Sequence, residues 1–133
     1  MTGGNTDFFF NDPNVVRLPP EEVRLREVQI TPDANSGRVK IHLKLTPFQK
    51  RPDICVTITS ASGKEAARTT ILETMLTKLE ITMHLREPNP GSEYAVETIV
   101  YYQKLPQPGE AEGEIQLPDP MIVDRQKTVF ILA

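Results

Sequence analysis

The sequence predicts an all-β fold, a single antiparallel sandwich of seven or eight short strands. Three observations carry this. Apolar residues alternate with polar ones at period two in several separate runs, the pattern of half-buried strands. Twelve prolines and seven glycines cluster between those runs, where they punctuate short strands rather than long helices. At 133 residues the chain has room for one domain. Its 38% hydrophobic and 25% charged content is ordinary for a soluble globular domain.

Residues 1–21 carry turn and breaker residues and the triplet Phe8-Phe9-Phe10. They read as an N-terminal arm ending at Leu18-Pro19-Pro20, with the sandwich over 22–133. Three adjacent phenylalanines are poorly suited to water, so they fold back over the domain or meet a partner.

The first strand is expected over about 22–31. Val23 and Leu25 share one face, and Val28 and Ile30 restart the alternation after a slip at Arg26-Glu27, as a β-bulge produces. The turn TPDANSG leads into the cleanest alternation, 37–46. There Val39, Ile41, Leu43 and Leu45 point one way and Lys40, His42 and Lys44 the other. The third strand, 53–60, alternates Ile54, Val56 and Ile58 against Cys55, Thr57 and Thr59. Gly63 suits a positive φ in the hairpin that follows. Segment 65–72 has Ala and Glu that suit a helix, but its Arg-Thr-Thr-Ile core and the preceding glycine favour a strand. Strand 78–86 sets Leu79, Ile81, Met83 and Leu85 inward, and Glu80, Thr82, His84 and Arg86 outward. Strand 93–103 is apolar on both faces. After the loop 104–113 come three short apolar pieces, EIQL, PMIV and KTVFIL. The last is the most strand-like, over about 126–132, and a looser piece near 114–117 would be an eighth strand.

The segment Leu85-Arg-Glu-Pro-Asn-Pro90-Gly91-Ser-Glu-Tyr94-Ala-Val96 resembles the strand E to strand F crossing of fibronectin type III and other immunoglobulin-like domains. In that corner a tyrosine hydroxyl bonds back to backbone a few residues upstream. The resemblance covers roughly residues 20 to 132. It implies strands A, B, C, C′, E, F and G in the order above, with B and E as antiparallel neighbours and Tyr94 as the structural tyrosine. The family's core tryptophan and its inter-sheet cysteine pair have no counterpart here, and the F-to-G connection is long. Such folds host many roles, so the fold assigns no function.

Composition narrows the function classes. Net charge is −3, with lysines and arginines scattered among glutamates, so no affinity for nucleic acid is expected. The single cysteine, Cys55, forms no internal disulfide and rules out a Cys-rich metal site. The N-terminus lacks a basic and apolar leader, and no run approaches the ~18 apolar residues of a membrane span. These point to a cytoplasmic protein without membrane or cofactor; a domain cut from a longer secreted protein is the alternative. There is no phosphate loop, no Gly-x-Ser-x-Gly elbow and no calcium-loop spacing around Glu110, Glu112 and Glu114. No small-molecule substrate is evident, and no catalytic residue is assigned.

Two candidate sites emerge. His42 and His84 fall on one outward face and, if directly or diagonally opposite, would offer two imidazoles to a transition metal with Glu80 nearby. A structural or catalytic zinc wants three or four ligands, so the plain reading is a solvated face shared with Lys40, Lys44, Glu80 and Arg86. The second candidate is the opposite sheet's outer face. Strand F presents Ala95, Glu97, Ile99 and Tyr101 there, and strand C adds Cys55, Thr57 and Thr59. The last strand adds either Val129 and Ile131 or Phe130 and Leu132. Such a patch marks a contact surface, covered by a protein partner, by a second copy, or by Phe8, Phe9 and Phe10 of the same chain. Cys55 has no base beside it, since both histidines belong to the other sheet, and reads as a small half-buried residue. A non-catalytic interaction or self-association module is therefore expected. The alternatives are a small metal protein using the histidine pair and a structural accessory domain of a larger assembly.

Overall fold

The computed structural model describes residues 16–103 and 120–133. Seven strands lie in those residues: β1 (Leu25–Asp33), β2 (Arg38–Leu45), β3 (Asp53–Ser60), β4 (Glu65–Ile71), β5 (Lys78–His84), β6 (Glu93–Tyr102) and β7 (Met121–Ile131). They form two antiparallel sheets, ordered β1-β2-β5 and β4-β3-β6-β7. This is the all-β sandwich that the alternation predicts. A short 3-10 turn, Pro20–Glu22, precedes β1. The piece near 114–117 and the phenylalanine triplet lie outside the described residues.

Alternation decides which side chains enter the core. Val39, Ile41, Leu43 and Leu45 of β2 are buried, as are Ile54, Val56 and Ile58 of β3 and Tyr94, Val96, Thr98 and Val100 of β6. Burying an aliphatic side chain of this size contributes about 1.5–3 kcal/mol, and most of the fold's stabilisation comes from these rows. Phe48, in the β2–β3 connection, is fully buried beneath Leu18, which pairs with it as an isolated parallel bridge. The chain at 16–20 is thereby tied to the sandwich.

Several local expectations hold. The β1–β2 register shifts between Leu25 and Glu27, which places a bulge at Arg26. Segment 65–71 is a strand, because it pairs with β3 over Ile54–Thr59. Tertiary pairing thus overrides its helix-forming Ala and Glu. Gly63 has φ 88°, a conformation that costs glycine little and other residues much.

The last strand differs from its sequence reading. PMIV and KTVFIL belong to one strand that begins at Met121 and is kinked by a register shift between Val100 and Tyr101. Its inward positions include Asp124, opposite Val100, and Gln126, opposite Thr98. Polar residues at inward positions disguised the strand. They are tolerated because β7 is an edge strand lying along β1 of the other sheet. There Asp124 accepts the Leu25 N–H at 2.7 Å and Gln126 donates to the Leu25 carbonyl at 2.7 Å. At the far end the Ala34 N–H reaches the Ala133 carbonyl at 3.2 Å. The VFIL edge is therefore flanked by β1 rather than free.

Candidate interaction face

The tyrosine corner forms as the sequence resemblance implies. The hydroxyl of Tyr94 accepts the Asn89 N–H at 3.0 Å. The Tyr94 ring is buried and stacks on Phe130, with centroids 5.5 Å apart and planes 17° from parallel. Phe130 of β7 and Leu132 just after it thus point inward, which leaves Val129 and Ile131 outward, 54% and 50% exposed.

The outer face of the four-stranded sheet brings together Cys55 and Thr57 of β3, Ala95, Ile99 and Tyr101 of β6, and Val129 and Ile131 of β7. Register fixes their neighbours: Cys55 lies opposite Ile99, Tyr101 opposite Ile122, and Ala95 opposite Val129. Ile122 joins the patch because β7 begins five residues earlier than the sequence suggests. Its signal was present in PMIV but carried no register.

A charged row crosses this face. Arg68, Thr57, Glu97 and Lys127 lie side by side across β4, β3, β6 and β7. The Arg68 guanidinium bonds Glu65 at 2.9 Å, and the Arg125 guanidinium lies 4.0 Å from Glu97. These are exposed pairs worth little to stability. The row divides the apolar surface into two patches, one around Ile99, Tyr101 and Ile122, the other around Ala95, Val129 and Ile131. Arg68, Glu97, Arg125 and Lys127 thus make this face partly charged.

Below the first patch, Tyr102 is buried and donates its hydroxyl to the Lys50 carbonyl at 2.7 Å, while the Lys50 ammonium lies 5.8 Å from its ring centroid. Burial, then the carboxylates of Asp53 and Glu21, push the Tyr102 hydroxyl up to about 12. Burial, then Asp53 and Cys55, also raise that of Tyr101. Both phenols stay neutral at physiological pH and act only as hydrogen-bonding aromatic groups. The Cys55 sulfur is half-buried, 3.9 Å from the hydroxyls of Thr57 and Thr70; no histidine or lysine is among these contacts.

The histidine pair does not assemble. β2 and β5 are neighbours as expected, but His42 lies opposite Glu80 and His84 opposite Arg38. The two imidazoles are offset by four residues, roughly 13 Å along the strands at ordinary strand rise. Among the described residues no group of three or more His, Cys, Asp or Glu side chains is placed to hold a metal ion. Glu80 pairs with Lys40 at 3.3 Å instead, which is the solvated charged face of the plain reading. Among the described residues no helix is long and apolar enough to cross a membrane.

No protein-family model matches the sequence, and no curated protein matches it. Solved structures do resemble the fold. The chain superposes on part of a β-glucuronidase from Parabacteroides merdae with TM-score 0.54 and 14% identity, covering 83% of this chain and 14% of that one. It superposes similarly on a glycosyl hydrolase family 2 member from Bacteroides cellulosilyticus, with TM-score 0.52, 14% identity and coverage of 83% and 14%. At this identity the likeness is one of fold, and the chain spans about 14% of the length of these structures.

Proposed function

We propose that this chain is a non-catalytic, immunoglobulin-like interaction module that self-associates through the outer face of β3, β6 and β7. The observation that carries the reading is the exposure of Val129 and Ile131 beside Ala95, together with Ile122 beside Tyr101, on one sheet surface. Apolar side chains aligned by strand register form patches, and patches on a sheet face are where protein contacts concentrate their apolar burial. The charged row between the patches would set the register of the contact more than its strength.

The single thiol offers a direct test. Cys55 lies in this face next to Ile99. Its alkylation by a small maleimide should slow as protein concentration rises, and Val129→Glu should abolish the concentration dependence. A labelling rate independent of concentration contradicts the reading.

A second reading rests on the solved neighbours. Sandwiches resembling this one occur within glycosyl hydrolase family 2 chains, so the chain can serve as a structural accessory domain of a larger glycosidase-like protein. The same face would then be covered by an adjoining domain.

A further inference from the structure

The large apolar side chains left exposed on the strands of the four-stranded sheet are Ile122, Val129 and Ile131, all on β7. A contact that covers them must overlap β7, the edge strand. Register sets their outward neighbours on β6. Tyr101 lies opposite Ile122, Ile99 opposite Arg125, Glu97 opposite Lys127, Ala95 opposite Val129 and Glu93 opposite Ile131. The outward charges of the two strands balance, with Glu93 and Glu97 on β6 and Arg125 and Lys127 on β7. They are weakly paired within the chain. The Arg125 guanidinium stands 4.0 Å from Glu97. Lys127 makes no ion pair among the described residues, although Glu97 is its cross-strand neighbour.

We propose, resting on the self-association reading above, that two copies pack face to face about a two-fold axis running along the strands between β6 and β7, and that Glu97 and Lys127 are the pair by which one copy recognises the other. Such an axis carries each β6 residue onto the partner's copy of its own cross-strand neighbour, an isologous contact. Glu97 then meets the partner's Lys127, and Lys127 meets the partner's Glu97. Ala95 meets the partner's Val129 and Tyr101 the partner's Ile122, so both apolar patches close together. The aliphatic stem of the partner's Arg125 lies over Ile99.

Charge disfavours the other axes that overlap β7. An axis between β3 and β6 sets Lys127 against the partner's Arg68 and Val129 against the partner's Glu65. An axis along β6 lays Glu97 on its own copy, and an axis along β7 does the same to Arg125 and Lys127. An axis across the strands lays β7 on β7. Centred on the charged row it pairs like with like, and shifted toward Arg125 it sets Lys127 against the partner's Arg125. Like charges brought together at a contact suppress that mode of association. The favoured overlap is two strands of ten and eleven residues, roughly 33 Å by 10 Å at ordinary strand geometry. This is well under the ~800 Å² per partner of a standard stable complex. The dimer therefore forms and dissociates with concentration, and the ion pairs decide which partner and register are accepted.

Charge reversal tests this in the full chain. Glu97→Lys and Lys127→Glu, each alone, set like charges against each other at both symmetry-related contacts. Each should raise the dimer dissociation constant at least about tenfold, read by light scattering across a dilution series. Mixing the two variants should restore dimers, because each then presents the charge the other requires. With one variant isotopically labelled, native mass spectrometry should find the mixed dimer in excess of either homodimer. Within each chain the altered cross-strand neighbours remain as unfavourable after mixing as before, so recovery reports the contact between copies and not folding. A wild-type chain that is monomeric at every concentration overturns the self-association reading and this pairing with it. Wild-type dimers together with single variants that dimerise equally well leave that reading standing and overturn the Glu97–Lys127 pairing. So do single variants that stay monomeric when mixed.

Discussion

Asp124 accepts the backbone N–H of Leu25 across the seam between the two sheets, at 2.7 Å. Gln126, two residues along β7, donates to the carbonyl of the same Leu25 at 2.7 Å. β1 is an edge of its sheet, so the Leu25 N–H and carbonyl that face away from β2 have no ladder partner, and two side chains of the other sheet take that place. A backbone group left without a partner here would cost about 1–3 kcal/mol. Asp124→Ala should therefore destabilise the domain by about that amount in urea unfolding. The double variant with Gln126→Ala should lose less than the sum of the two, because both act on one residue.

Tyr94 makes a second prediction. Tyr94→Phe keeps the ring stacked on Phe130 and removes only the acceptor of the Asn89 N–H. The expected loss is about 1 kcal/mol in chemical denaturation. A neutral result would mean that water replaces the hydroxyl and that the corner contributes shape alone.

Thr98 predicts a gain. Its hydroxyl is buried between the sheets with no hydrogen-bond partner. Thr98→Val keeps the branched shape and removes the unpaired group, so the melting temperature should rise, by the equivalent of about 1 kcal/mol. A fall would show that the hydroxyl is satisfied in solution.

Much of this fold was legible in the sequence. Period-two alternation placed the inward residues of β2, β3, β5 and β6, and the slip at Arg26-Glu27 located the bulge. Tyr94 was legible because its corner has a local motif. Two features were not. The inward Asp124 and Gln126 look like an outward polar run, since only the neighbouring strand of the other sheet explains them. The offset between His42 and His84 depends on the β2–β5 register, which alternation cannot fix; parity gave the shared face but not the distance.

Tyr102 gives a pH prediction. Its hydroxyl is raised from 10.0 to about 12 in the folded state. Above pH 10 the unfolded chain releases the phenolic proton while the folded chain holds it, so the unfolded state gains and stability falls. This contribution is fully present below pH 10 and is lost as pH rises toward 12. Stability measured across that window should fall less steeply in Tyr102→Phe than in wild type. Equal slopes would show that the phenol titrates normally.

Absolute mass in solution tests the central claim most directly. Light scattering on a size-exclusion column across a dilution series should give twice the 15.0 kDa chain mass at high concentration. The value should fall toward 15.0 kDa on dilution. The double variant Ile99→Glu with Tyr101→Glu should give a soluble monomer throughout. A wild-type mass of 15.0 kDa at every concentration, or a double variant that remains a dimer, would contradict self-association through this face.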